Sequence, residues 1–158
     1  MSKKIIVIPT YNEEENIVQL VESLTKIHSD IIFVDDNSSD ETQNIIKNHA
    51  QFNTSVFLIG REGKKGYASA CIEGILYGLN NKYDYIIQMD ADLSHSAEDL
   101  EKLIKLSEVN DLVIGSRYVE NGKTSGWGLR RVLLSRIANM FSKFYLKQDT
   151  NDLTSGFR

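Results

Sequence analysis

The fold of this chain is decided by the stretch Tyr85-Ile86-Ile87-Gln88-Met89-Asp90-Ala91-Asp92. Its apolar run ends in acidic residues, which predicts a buried strand whose last residues reach the surface. Side chains two residues apart on an extended segment point to the same side, so Asp90 and Asp92 are expected to present two carboxylates together. Open α/β sheets bind ligands at that edge. An isolated Asp-X-Asp is typical of two solvated acids, but the surrounding chain favours a shared cation, and oxygen ligands suit Mg²⁺ or Mn²⁺.

Strand-like and helix-like segments alternate along most of the chain. Short apolar runs predict strands, and apolar residues three or four apart predict helices. The predicted strands are 4–8, 31–34, 56–59, 85–89 and 112–114. Helices are expected to start near 13, to cover about 41–47 and 67–79, to follow Ser96, and to cover 129–147. This order is typical of crossover units, so the expected fold class is α/β, with a mostly parallel, Rossmann-like sheet and helices on both faces.

The composition is that of one globular domain. The chain has 158 residues, of which 41% are hydrophobic and 25% charged. Its net charge of −4 provides no overall basic surface, so we expect no nucleic-acid partner. The single cysteine, Cys71, excludes an intrachain disulfide, and no stretch approaches the ~20 apolar residues that cross a bilayer.

Three polar clusters follow predicted strands at the point where each strand ends. They are 9–13 (Pro-Thr-Tyr-Asn-Glu), 35–39 (Asp-Asp-Asn-Ser-Ser) and 90–92 (Asp-Ala-Asp). Parallel strands bring such ends to one edge of the sheet, so the clusters are expected to form one site. Tyr11 could stack on a base there, and Asp36 could accept a hydrogen bond from a base N–H. Asp90 and Asp92 could hold a divalent cation against a diphosphate. Residues 38–40 are also good helix caps and could be only that.

Cationic residues near the same edge have two interpretations. The loop 61–66 (Arg-Glu-Gly-Lys-Lys-Gly) lacks the phosphate-binding pattern Gly-x-x-x-x-Gly-Lys-Ser/Thr, and it is either a phosphate contact or a solvated turn. Arg117 follows the fifth predicted strand. It is either a phosphate ligand or part of a surface salt bridge. The helix 129–147 begins with Arg130 and Arg131, which opposes the helix dipole unless an anion binds there. Its apolar and basic faces are typical of a membrane-surface helix or of a helix packed on the domain.

The chain resembles the polyprenol-phosphate (dolichol-phosphate) mannosyltransferases, within the inverting glycosyltransferase family 2 of GT-A fold. Its first two motifs are general to the superfamily, and those from Asp90 onward are more specific to the lipid-phosphate branch. The matching motifs span nearly the whole chain in the family's order. They are 9–13, 34–38, 66–70, 89–95 (Met-Asp-Ala-Asp-Leu-Ser-His), 115–118 (Gly-Ser-Arg-Tyr), 126–127 (Gly-Trp), 130–131 with 135–136, and 149–158, which ends Thr-Ser-Gly-Phe-Arg.

The resemblance implies a role for each matching residue. The residues implied in binding the nucleotide-sugar donor are Pro9, Tyr11, Glu13, Asp35, Asp36, Lys65, Gly66, Asp90, Ala91 and Asp92. The implied cofactor is Mg²⁺ or Mn²⁺, held by Asp90, Asp92 and the backbone or side chain near Ser94. The residues implied in catalysis are Asp92, Arg117 and Arg131. Both arginines would hold the lipid phosphate and the donor phosphates, with Ser135 as a further contact.

The implied reaction is metal-dependent, inverting transfer of a hexose to polyprenol or dolichol phosphate. Mannose from GDP-mannose is the commonest family case. The acceptor is a phosphate monoester whose second pKa is near ~6, so it is an anion at neutral pH and needs no general base. Such an enzyme is expected on the cytoplasmic side of a membrane as a peripheral protein, and a membrane partner subunit is a candidate companion.

Other functions stay open at this point. Motifs at the sheet edge do not determine the sugar, so glucose from UDP-glucose is the close rival. A nucleotide-sugar-binding module without turnover is a second alternative. A receiver-type signalling domain also clusters acids at strand ends, but its acidic pair follows the first strand, whereas Asp35-Asp36 follow the second. A nucleotidyltransferase would carry a glycine-rich loop after the first strand, where this chain has Pro9-Thr10-Tyr11.

The domain prediction is a single GT-A catalytic domain over 1–158. Residues 1–118 are expected to form the nucleotide-sugar-binding core, and residues 119–158 the acceptor loop and an amphipathic helix. The sequence stops at Gly156-Phe157-Arg158 without a helix signal or a polar tail. Because the resemblance implies a further strand and helices on the acceptor side, we expect the chain to be C-terminally truncated.

Overall fold

The predicted alternation of strands and helices is confirmed over most of the chain. A computed structural model describes residues 2–119, 129–147, 150 and 152–158, without the side chains of residues 129, 131, 132 and 146. The elements are β1 Lys4–Thr10, α1 Glu14–Leu24, β2 Asp30–Asp35, α2 Thr42–Lys47, β3 Val56–Gly60, α3 Tyr67–Asn80, β4 Tyr85–Gln88, α4 Ala97–Ser107 and α5 Leu129–Leu146. Within the described ranges, none of these helices is long and apolar enough to cross a bilayer.

The strands form one parallel sheet of order β3-β2-β1-β4. Thr10 pairs with Asp35, and Asp35 pairs with Gly60, so the first three strands end at the same level. The fourth ends earlier, because its last residue, Gln88, pairs with Val7. The carboxyl ends therefore lie at one edge, as predicted for the polar clusters.

Helices cover both faces of the sheet. Alternate β1 residues point to opposite faces, so Ile6 and Ile8 pack in one core and Ile5 and Val7 in the other. The first core is completed by residues of α1, α2 and α4, which include Ile17, Leu20, Ile46, Leu100 and Leu103. The second lies under α3. There a Cβ on Gly74 would lie 2.2 Å from Val7 Cγ1, so glycine allows this helix its close approach.

The predicted fifth strand over 112–114 is wrong, since these residues do not belong to the described sheet. The C-terminal residues lie against the edge of β4 instead. Arg158 and Gln88 exchange both backbone hydrogen bonds, at 3.1 and 2.7 Å, which is the pattern of an antiparallel pair. Gly115 N–H then donates to the Phe157 carbonyl at 2.8 Å. An apolar run predicts an extended segment, but it does not determine which segment reaches a free edge.

Candidate functional site

The loops after β1 and β2 are joined to each other by hydrogen bonds. Asp36 N–H donates to the Thr10 carbonyl at 2.9 Å, which continues the strand pairing by one residue. Asn12, whose φ is 56°, donates from its backbone to Ser38 Oγ at 2.8 Å, and Asn12 Oδ1 accepts from Ser39 N–H at 2.9 Å. The first two predicted clusters thus form one continuous surface.

Asp35 lies beneath this surface with a fully buried side chain. Its carboxylate accepts hydrogen bonds from Thr10 Oγ1 at 3.1 Å, from Ser38 N–H at 2.9 Å and from Gln43 Nε2 at 2.6 Å. Because these donors come from β1, from the turn after β2 and from α2, the Asp35 carboxylate holds the turn between β2 and α2 in place. Its assignment to donor binding stays a prediction.

Asp36 is also buried, and it anchors the loop that precedes α3. The carboxylate accepts from Arg61 Nη1 at 2.9 Å, from Lys65 N–H at 2.8 Å and from Gly66 N–H at 2.7 Å. Burial alone would raise the pKa of Asp36, but the two backbone N–H groups and the Arg61 guanidinium lower it overall. Asp36 is therefore a carboxylate that holds Lys65 and Gly66 at the edge of the site. Gly66 has a φ of 93°, which favours glycine.

The interpretation of the loop 61–66 as a solvated turn fits residues 62–65, which are exposed, but not Arg61, whose side chain is only 2% exposed. Besides Asp36, its guanidinium contacts Ser69 Oγ and lies 3.2 Å from Glu73 Oε2. A buried charge requires such partners, and these tie the end of β3 to the first turns of α3. An exposed loop is the usual location of a sequence rich in glycine and lysine, so the pattern gave no sign of this burial.

The other residues predicted for the nucleoside differ in exposure. Tyr11 is 40% exposed, and Lys64 Nζ lies 3.5 Å from the centre of its ring. Pro9 is buried within β1. Glu13 is half-buried and accepts a hydrogen bond from Asn16 Nδ2 at 2.8 Å. Tyr11 therefore offers the aromatic surface of this region.

The Asp90–Asp92 segment is not an extended strand, so the predicted alternation does not position its carboxylates. β4 ends at Gln88, residues 91–93 form a bend, and Leu93 has a φ of 58°. The side chain of Ala91 is buried in the core, whereas Asp92 is exposed and accepts from Ser94 N–H at 3.0 Å. The bend itself brings Asp92 to the surface beside Ser94.

Asp90 is oriented by two neighbours. Tyr67 donates its hydroxyl hydrogen to Asp90 Oδ1 at 2.6 Å, and His95 Nε2 lies 3.6 Å from Oδ2. The His95 imidazole lowers the pKa of Asp90, burial opposes this, and the Tyr67 hydroxyl lowers it further, with a net decrease. Burial, followed by the hydrogen bond to Asp90, raises the pKa of Tyr67. Asp90 is thus the carboxylate and Tyr67 the donor.

The C-terminal segment 152–158 packs directly against Asp90 and Tyr67. A Cβ on Gly156 would lie 2.6 Å from the Tyr67 hydroxyl and 2.8 Å from Asp90 Oδ1, so this approach requires glycine. The Phe157 ring stacks on His95, with ring centres 4.4 Å apart. The sequence identified this segment as a motif but did not indicate its position beside Asp90.

Arg117 is held by a buried carboxylate that sequence reasoning missed. Its Nε and Nη2 donate to the two oxygens of Asp152, each at 2.7 Å, and Nη2 also donates to Thr154 Oγ1 at 2.8 Å. Burial would raise the pKa of Asp152, but the hydrogen bonds and charge of Arg117 lower it overall. Such a two-point pair fixes the guanidinium plane. The only sequence signal for Asp152 was its place in the motif 149–158.

Helix α5 contacts the same segment through Asn139. Asn139 Nδ2 lies 3.3 Å from Asp152 Oδ1 and 3.2 Å from Thr154 Oγ1, and its Oδ1 accepts from Thr154 N–H at 3.3 Å. Arg131 lies in α5, and its side chain is outside the described residues. The predicted motif at 126–127 lies outside them too. Exposed apolar side chains of this helix are Leu133, Leu134, Ile137, Met140, Phe141, Phe144 and Tyr145.

The residues around Asp90 fit a hard divalent cation. The carboxylates of Asp90 and Asp92 offer oxygen atoms, which are the ligands that Mg²⁺ and Mn²⁺ prefer. Within the described part of the chain, no group of three or more His, Cys, Asp or Glu side chains is placed to hold a metal ion. A cation here would take its remaining oxygens from water or from a bound diphosphate, which is the usual arrangement for Mg²⁺ in phosphate sites.

Comparison with known proteins identifies the family. Residues 5–158 match Glycosyl transferase family 2. The chain belongs to that family. Within it, the chain is 36% identical to the polyprenol monophosphomannose synthase of Mycolicibacterium smegmatis, over 99% of this chain and 60% of that protein. It is also 36% identical to the undecaprenyl-phosphate mannosyltransferase of Micrococcus luteus, over 96% of this chain and 63% of that protein. The chain thus spans about three-fifths of the length of these curated relatives.

Two solved structures share the fold of this family 2 chain. The mannosyltransferase PcManGT of Pyrobaculum calidifontis, in complex with GDP-Man and Mn²⁺, matches with a TM-score of 0.55 at 19% identity, over 65% of this chain and 31% of that one. S. aureus TarS 1-349, in complex with UDP, matches with a TM-score of 0.56 at 20% identity, over 80% and 38%. At such identities the likeness shows the fold alone. That fold is GT-A, as the sequence motifs predicted.

Proposed function

We propose that the chain is the catalytic domain of a polyprenol-phosphate mannosyltransferase, which transfers mannose from GDP-mannose to a polyprenol or dolichol phosphate with inversion. The observation that carries this proposal is the position of segment 152–158, which touches Asp90 at Gly156 and Arg117 at Asp152. One short segment thus joins a candidate cation site to a candidate phosphate site. The names of both curated relatives support a lipid-phosphate acceptor.

The donor occupies the carboxyl edge of the sheet in this proposal. The exposed ring of Tyr11 stacks on the base, and Asp36 holds the Lys65–Gly66 backbone against the nucleotide. Asp90 and Asp92, with Ser94, would hold Mg²⁺ or Mn²⁺ beside the donor diphosphate. Such a cation would supply positive charge to neutralise the negative charge that develops on the leaving diphosphate.

The acceptor phosphate lies on the arginine side. Asp152 fixes the plane of the Arg117 guanidinium, which together with Arg131 would attract the anionic oxygens of the lipid phosphate. A phosphate monoester is an anion at neutral pH, so orientation and charge neutralisation provide the catalysis without a general base. Attack of a lipid-phosphate oxygen on the anomeric carbon, from the side opposite the diphosphate, would break the bond between that carbon and the diphosphate oxygen, release GDP and invert the carbon.

Helix α5 is the membrane contact in the proposal. Its exposed apolar side chains lie within one broad helical face, and by helical spacing Arg136 and Lys143 lie along one border of that face. Such a helix binds the surface of an anionic bilayer. We propose a peripheral protein at the cytoplasmic face, with residues 1–118 as the nucleotide-sugar core and 119–158 as the acceptor region. A membrane partner subunit would bind there too.

Calorimetry with GDP-mannose and UDP-glucose, each with Mn²⁺ and with EDTA, tests the proposal. We expect Mn²⁺-dependent binding of GDP-mannose by the wild-type chain. In Asp92→Ala we expect the affinity for GDP-mannose with Mn²⁺ to fall by at least about 100-fold, because this variant lacks one proposed ligand of the cation. Mn²⁺-dependent binding of UDP-glucose instead of GDP-mannose would make glucose, not mannose, the sugar that is transferred. Binding of neither donor, or unchanged binding by a folded Asp92→Ala variant, would contradict the proposed site.

A further inference from the structure

Tyr67, the first residue of α3, is connected to both β4 and Asp90. The Gln88 side chain, which is buried at the end of β4, donates from Nε2 to the Tyr67 hydroxyl oxygen at 3.1 Å. The hydroxyl hydrogen goes to Asp90 Oδ1 at 2.6 Å. The two bonds use the phenol oxygen once as an acceptor and once as a donor, so Gln88 and Asp90 together determine the direction of its hydrogen.

Gly156 closes a further side of this arrangement. The ideal Cβ position of this glycine is within 2.9 Å of the Tyr67 hydroxyl and of both Asp90 oxygens. The backbone of Gly156 therefore packs on the hydrogen bond itself. Since the phenol is bonded on one side and packed on another, neither it nor the carboxylate can rotate without breaking a contact.

The consequence concerns the carboxylate. A lone aspartate rotates about its side-chain torsions, and it loses that freedom when it binds a cation. Asp90 has lost it already, because Tyr67 engages Oδ1 while Oδ2 faces His95 at 3.6 Å. We propose that Tyr67 is a positioning residue that orients Asp90 for a divalent cation. The inference rests on the proposed function, and it adds a residue that acts through Asp90.

A matched pair of tyrosine variants tests this inference. Tyr67→Phe removes only the hydroxyl. The control is Tyr83→Phe, because Tyr83 donates to Asp30 Oδ2 at the same distance of 2.6 Å but precedes β4, at the opposite edge of the sheet. Free Mn²⁺ is measured by electron paramagnetic resonance during titration of each protein with Mn²⁺ in the presence of GDP. We expect Mn²⁺ affinity to fall by about 10- to 100-fold in Tyr67→Phe and to stay unchanged in Tyr83→Phe.

A second measurement separates orientation of Asp90 from a general structural role. GDP binding in EDTA and the apo melting temperature are expected to be similar in both variants, while the Mn²⁺-induced rise in melting temperature shrinks only in Tyr67→Phe. Wild-type Mn²⁺ affinity in Tyr67→Phe would overturn the inference and leave the proposed function intact. Equal losses of Mn²⁺ affinity in Tyr67→Phe and Tyr83→Phe would also overturn it. So would a loss of GDP binding in EDTA by Tyr67→Phe that is as large as its loss of Mn²⁺ affinity. Absence of Mn²⁺ binding by the wild-type chain would overturn both.

Discussion

The two sides of the proposed site are stabilised in different ways. On the nucleoside side, the ends of β1 and β2 are adjacent in the sheet, and their loops are joined by several hydrogen bonds that involve the backbone. On the acceptor side, the segments near Arg117, Asn139 and Asp152 meet outside the regular sheet, through buried polar side chains. The first side is therefore supported by adjacent strand ends as well as by the buried carboxylates of Asp35 and Asp36, while the second depends mainly on contacts between individual side chains.

The largest expected effect comes from breaking the acceptor side at Asp152. Its side chain is fully buried and the Arg117 side chain is 22% exposed, so Asp152→Ala would leave a largely buried cation without its carboxylate. Removal of one partner of a buried ion pair costs about 3–5 kcal/mol, and we expect the lower end because Arg117 is partly solvated. Urea denaturation measures the loss of unfolding free energy.

Nucleotide binding gives the contrast between the two sides. In the folded Asp152→Ala protein, we expect the Kd for GDP with Mn²⁺ to change by less than about threefold, because no nucleoside-side contact is lost. Transfer to the lipid phosphate should fall strongly. A large increase in that Kd would show that the two sides do not act separately.

A smaller effect is expected where the acceptor-side segment touches Asp90 and Tyr67. Gly156→Ala places a Cβ 2.6 Å from the Tyr67 hydroxyl, and such crowding costs about 1–3 kcal/mol. Gly78→Ala is the steric control, since its Cβ would lie 2.8 Å from Ile86 Cδ1 beneath α3. We expect comparable destabilisation in both variants but weaker Mn²⁺-dependent GDP binding only in Gly156→Ala. Equal Mn²⁺-dependent GDP binding by the two variants would show that the segment 152–158 does not influence the cation site.

The smallest expected effect is a pH dependence of stability on both sides. The pKa values of Asp36 and Asp152 are lowered in the folded protein. A lowered folded pKa adds stability that is complete above the unfolded value of about 3.9 and is lost as the pH falls through the folded value. Urea denaturation at pH 7 and pH 3 should show a smaller acid-induced loss for Asp152→Asn than for the wild type. The same loss in both would mean that Asp152 contributes little to acid unfolding.

Much of the fold was predictable from local patterns. Apolar runs identified β1 to β4, and helical spacing identified α3 and α5. The helix predicted to follow Ser96 is α4, and Ser96 Oγ caps it by accepting from Asp99 N–H at 3.1 Å. Each signal depends on residues within one turn or one strand. The wrong fifth strand marks the limit, because an extended run reveals nothing about its partner.

The site was predictable in outline and less so in detail. Parallel order alone places the ends of β1, β2 and β3 at one edge, which is why the clusters near Tyr11 and Asp36 meet. The contacts of Tyr67 with Asp90 and of Arg117 with Asp152 join residues 23 and 35 positions apart. Their geometry depends on how separate elements pack, so no local pattern could indicate them.

The sequence by itself determined the family, the order of strands and helices, and the residue types at the sheet edge, because periodicity, strand-end chemistry and motif order are properties of neighbouring residues. Tertiary structure decided that Arg61 is buried, that Asp152 holds Arg117, and that Gly156 packs against Tyr67 and Asp90. The physical reason is that a buried charge or a glycine contact acquires its partners only when distant segments are brought together and water is excluded between them.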